Sequence, residues 1–92
     1  MAKYTIIRSG GCIIKDGAPV TEADVSWLPE DILAVHAAAD GSGELERGDF
    51  ATETTTANEN FADCTAFDWW SNVDTAWQTR YDEDYAPPPE GE

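Results

Sequence analysis

The longest aliphatic run, Ile32-Leu33-Ala34-Val35-His36-Ala37-Ala38, lies near the middle of a 92-residue chain. A chain this short builds one domain with one small core, so this run has to sit inside it. Alanine and the start Pro29-Glu30-Asp31 favour a helix there. The residues that follow decide for a strand. Ala39-Asp40-Gly41-Ser42-Gly43 is a hairpin-type loop, and Gly43-Glu44-Leu45-Glu46-Arg47 alternates as a half-buried edge strand does. Residues 32–38 are therefore expected as a central strand paired with 43–47.

A second hairpin is legible at the start. Tyr4-Thr5-Ile6-Ile7-Arg8 and Cys12-Ile13-Ile14-Lys15 are short β-branched runs around the turn Ser9-Gly10-Gly11, and Asp16-Gly17 closes the second run. Each arm carries two adjacent isoleucines. Neighbours in a strand point to opposite faces, so this sheet is expected to be covered on both sides. Residues 17–31 read as a connection, with one turn at Thr21-Glu22-Ala23-Asp24 and with Leu28 held extended by Pro29. Residues 48–60, polar and Thr-rich, read as a loop anchored by Phe50, with an irregular extended piece as the alternative.

The segment after Asp63 reads as one helix, starting between Asp63 and Thr65. Thr65 and Asp68 stand in the spacing of a capping box. Carboxylates beyond Tyr81 oppose the helix dipole, so the helix is expected to stop near Arg80 or Tyr81. At about 100° per residue, Trp70, Val73, Trp77 and Tyr81 share one apolar face. Trp69 falls at the edge of that face beside Arg80. Trp69, Trp27, Arg80 and Tyr85 are the candidate partner-binding residues, because Trp, Tyr and Arg dominate binding energy at interfaces. The expected fold is α+β: a small antiparallel sheet of about four strands in two hairpins, with one C-terminal amphipathic helix packed on it. Residues 1–81 form the domain and 82–92 an acidic, Pro-rich tail.

Nineteen Asp and Glu face five Lys and Arg, for a formal net charge of −14. Lys3, Arg8, Lys15, Arg47 and Arg80 are scattered and form no basic patch. Phosphate-driven binding to nucleic acid and adsorption to an anionic membrane are therefore not expected. The charge favours solubility, repulsion between copies, and a basic partner or cations. Cys12 and Cys64 read as two buried reduced thiols, with a disulfide between them left open. One histidine and two separated cysteines do not make a zinc set. Asp40-Gly41-Ser42-Gly43-Glu44 is not a calcium loop, because Leu45 and Ala51 stand where the pattern needs Gly and Glu. His36 has no Ser or Cys suggesting a triad and reads as a sheet residue. No catalytic motif is present and no cofactor is expected, so the chain is read as a non-enzyme. The start MAKYTIIRSGG has no apolar leader region, and no apolar run reaches the length of a membrane span, so synthesis in a cytosol is expected.

The stretches YTII, GCIIKDG, WLPEDILAVHA and DGSGELERGD, covering residues 4–49, resemble small virion-associated proteins of tailed bacteriophages. The chain departs from that pattern at His36-Ala37-Ala38, where an aromatic usually follows the Ala-Val strand. The resemblance implies a non-enzymatic part of a virion, a capsid decoration or tail-associated subunit made in the host cytoplasm. Its implied partners are other capsid or tail proteins and further copies of itself. The alternative reading is an acidic DNA mimic that occupies a host protein's basic groove.

Overall fold

The structure is a computed structural model and describes residues 1–85. The elements run β1 (Tyr4–Ile7), β2 (Cys12–Lys15), β3 (Ala18–Val20), β4 (Ile32–Ala37), β5 (Gly43–Asp49), β6 (Thr54–Phe61) and α1 (Ser71–Tyr85). All six strands join one antiparallel sheet in the order β3-β2-β1-β4-β5-β6. The α+β class, both expected hairpins and the central place of residues 32–37 hold. The sheet has six strands rather than about four.

The two additional strands lacked the usual sequence signal. Ala18-Pro19-Val20 is only three residues long and contains a proline. It forms the outer strand next to β2, an edge position where the missing N–H costs no ladder bond. Asp16 and Gly17 both have positive φ, 48° and 84°, which makes the two-residue reversal into β3. At the other edge, Thr54–Asn60 is exposed along its whole length. With neither face buried, its residues carry no period-two hydrophobic pattern, and only the threonines hint at a strand.

Register explains where the core lies. Val20, Ile13, Ile6, Val35 and Leu45 stand opposite one another across β3, β2, β1, β4 and β5, each 2% exposed or less. The same row ends on β6 at Glu59. The next row runs Ala18, Lys15, Tyr4, Ala37, Gly43 and Phe61. Gly43 is required there, because a Cβ would collide with the His36 carbonyl and the Phe61 ring. Val73 and Trp77 of α1, with Leu28, Ile32 and Cys64, complete the cluster on this side.

The helix starts later than the sequence suggests. Asp63, not Thr65, makes the cap: its Oδ1 accepts from Thr65 N (2.9 Å) and Thr65 Oγ1 (2.6 Å). That cap starts only one 3-10 turn, Cys64–Ala66, before Phe67 returns to extended backbone (φ −77°, ψ 132°). The break lets the Phe67 ring meet Phe61 edge-on at 5.3 Å. The helix also runs on to Tyr85, past the expected stop. Arg80 pairs with Glu83 (2.5 Å) and Asp84 (2.8 Å), offsetting the acidic last turn. Residues 86–92, most of the expected tail, lie outside the described residues.

Adjacent isoleucines should separate sharply in their effect on stability. Ile6→Ala empties a fully buried site and is expected to cost about 2–5 kcal/mol. Ile7→Ala, on the other face, is expected to cost less than about 1 kcal/mol. Urea midpoints of the two variants measure the difference, and equal losses would contradict the face assignment.

Candidate docking surface

The face of the sheet away from α1 has no covering element among the described residues. Its side chains form two rows. One runs Pro19, Ile14, Thr5, His36, Glu44 and Asn60; the other runs Cys12, Ile7, Ala34, Glu46 and Asn58. The half over β1–β3 is therefore apolar and the half over β5–β6 polar. Ile7 is 38% exposed, and Phe50, in the turn after β5, is 45% exposed beside it. Ile7, Leu33, Ala34 and Phe50 line a shallow groove of about 250 Å³ closed by His36 and Glu46.

The rim of this face is negative. His36 Nε2 meets Glu46 Oε2 at 2.9 Å, Ser9 Oγ donates to Glu53 (3.0 Å), and Glu44 lies opposite His36. Arg8 reaches the Phe50 ring at 5.7 Å. Its guanidinium is already committed, donating to the carbonyls of Ile32 (2.8 Å), Leu28 (2.8 Å) and Pro29. Those bonds fasten the 28–32 segment to the end of β1. Cys12 lies half-buried on the bare face, whereas Cys64 is fully buried on the helix side; both are free thiols. Burial raises the Cys64 pKa, which makes that thiol a packing group.

The residues singled out in the sequence fall elsewhere. Trp69 is half-buried in a pile of rings, stacked on Phe67 at 4.9 Å and on Trp27 at 5.9 Å. Trp27 Nε1 donates to the Asp24 carbonyl at 2.6 Å. Arg80 Nε donates to the Thr21 carbonyl (2.9 Å), tying α1 to the 21–27 loop. Trp27 and Arg80 line one wide groove of about 410 Å³ together with Glu22, Asp24 and Glu83. Tyr85 closes α1, and its side chain lies outside the described residues. The structure thus brings Trp69, Trp27 and Arg80 together, but as the joint between loop and helix. Ile7, Ile14 and Phe50 were missed as surface residues. The paired isoleucines were the available signal, since each pair must send one side chain away from the core.

The helix is locked to its own face by a polar node. Asp74 Oδ1 accepts from Tyr4 Oη (2.7 Å) and from Lys15 Nζ (2.6 Å). Lys15 also lies over the Trp77 ring at 4.9 Å, and Trp77 Nε1 donates to the Ala18 carbonyl at 2.9 Å. The bonds from Lys15 and Tyr4 hold the Asp74 carboxyl below the usual aspartate range. Burial, then the Asp74 bond, pushes the Tyr4 phenol up. Asp24, Asp40 and Asp63 are each held low by hydrogen bonds from the residue two positions on. No helix among the described residues is long and apolar enough to cross a membrane, and no three metal-ligating side chains converge there. No family model matches the chain, and no curated protein or solved structure is significantly similar to it.

These shifts set an acid limit on stability. A carboxyl held below its unfolded value of 3.8 stabilises the fold above that value and loses the contribution as pH falls through its folded pKa. Asp74→Asn should therefore lower stability near neutral pH and flatten the decline below about pH 4. Urea titrations at a series of pH values measure both, and an unchanged acid slope would show that the node contributes nothing.

Proposed function

We propose that this chain is a non-enzymatic docking subunit of a bacteriophage virion, a capsid decoration or tail-associated protein. The observation that carries the reading is the bare sheet face. The second face of the sheet carries Ile7 and Phe50, each more than a third exposed, and so offers an apolar patch for a third layer supplied by a partner. The occupant that fits is another virion protein presenting an apolar patch edged with Lys or Arg. Its apolar part would lie over Ile7, Ile14 and Phe50, and its basic edge would meet Glu44, Glu46 and Glu53. A second copy fits this face poorly, because stacking it would oppose those carboxylates to each other.

The acidic-mimic reading has less support. DNA mimicry needs an ordered array of free carboxylates. Here Asp24, Asp40 and Asp63 are engaged in their own turns. Asp31, Glu59, Asp74, Glu83 and Asp84 are paired with the chain's own cations.

The test is binding to purified virions or capsids, with the chain first sought in virions by mass spectrometry. Ile7→Glu with Phe50→Ala should weaken co-sedimentation by at least about tenfold while leaving far-ultraviolet dichroism unchanged. Trp69→Phe should leave binding near the parent's level. Absence of the chain from virions, or full binding by the double variant, would overturn the reading.

A further inference from the structure

The two edges of the sheet are finished very differently. β3 is three residues long and carries Pro19, two of the devices that stop a strand from pairing outward. β6 is eight residues long, the longest strand of the sheet, and has no proline and one charge, Glu59. That charge is neutralised on its own sheet by Arg47 Nε at 2.7 Å. Thr54–Asn60 is exposed on both faces, so nothing within the described chain shields this edge. The acidic last turn of α1 is remote from it, because α1 packs on β2 and β3.

Backbone alternation shows which groups the edge offers. Arg8 N donates to the Leu33 carbonyl at 2.9 Å, so Val35 and Ala37 also turn their peptide groups toward β1. Ala34 and His36 then face β5, in keeping with the bond from Ala38 N to the Ser42 carbonyl at 2.7 Å. Alternation carries on across β5: Gly43, Leu45 and Arg47 face β6 and take up Phe61, Glu59 and Ala57. The peptide groups of Asn58 and Asn60 are left pointing outward.

We propose that two copies of this chain pair through β6, antiparallel and edge to edge, with a twofold axis at Asn58. That register sets Asn58 against Asn58, Ala57 against Glu59 and Thr56 against Asn60, so no acid opposes an acid. Shifting it to oppose Asn58 to Asn60 would put Glu59 against Glu59. The pairing is independent of the docking reading, since it uses the sheet's edge and leaves the bare face free.

The experiment is sedimentation equilibrium of the full chain over a concentration series, at about 20 mM and about 500 mM salt. The expected result is a monomer–dimer equilibrium that tightens with salt, as the residual repulsion between two acidic chains is screened. Asn58→Pro removes an outward N–H and leaves the inner ladder intact, so it should weaken the dimer at least about tenfold. Ile7→Glu should not weaken it. Amide exchange of the parent gives a second readout that needs no variant. Asn58 and Asn60 should exchange fast when dilute and slowly when concentrated, with Ala57 and Glu59 slow throughout. A monomer at every concentration and salt would overturn the proposal. So would a dimer that tolerates Asn58→Pro but is lost with Ile7→Glu, or one with fast Asn58 and Asn60 amides.

Discussion

The seating of α1 across β2 and β3 decides what the rest of the chain can bury. A 15-residue helix is about 22 Å long, and six strands at about 4.8 Å spacing make a sheet of similar width. Packed on β2 and β3, α1 covers part of one face and nothing of the other. The chain uses it on the side where Ile6, Ile13, Val35 and Leu45 line up, and the 21–33 segment fills in beside it through Leu28 and Ile32. No described element remains to cover the second face. The exposure of Ile7 and Phe50 therefore follows from how many layers the chain can form.

The strength of that seating comes from chemistry as well as area. Trp77 is 7% exposed, stacks on Tyr81 at 4.6 Å and still satisfies its indole N–H on Ala18. Asp74 joins β1 and β2 to the helix through two short charged or polar bonds at the rim of the core. Their partly exposed position limits what each is worth. Their value is orientation: they set the rotation of α1, so that Val73 and Trp77 point into the row of aliphatic side chains.

Much of this was legible. Elements that bury one face announced themselves, as the Ile-Ile arms, the aliphatic run at 32–37 and the Val73–Trp77 part of the helical stripe did, while Trp70 lies before the helix. β6 was illegible because a strand exposed on both faces has no hydrophobic period to read, and β3 because its proline argues against a strand everywhere except at an edge. The helix start was misplaced because Asp63 captures Thr65 locally, a bond between neighbours that overrides the helical pattern for one turn. The docking surface was half legible. Two isoleucines in a row predict a sheet covered on both sides, whereas the described chain covers only one, because its single helix and the 21–33 segment both pack on the same face.

The bare face and the free edge lie at right angles, and this relates the two proposals. Antiparallel strands paired in one sheet are related by a twofold axis perpendicular to it. Copies joined through β6 would therefore carry their bare faces on the same side. Each face alone offers a modest apolar patch with a negative rim. Two held in one plane would meet a repeating surface, such as an array of identical virion subunits, as a bivalent ligand. The second contact then forms at a high effective concentration, and binding strengthens with no new contact chemistry. Copies paired through β6 would not extend into a longer array, because the opposite edge of each is closed by the short, proline-bearing β3.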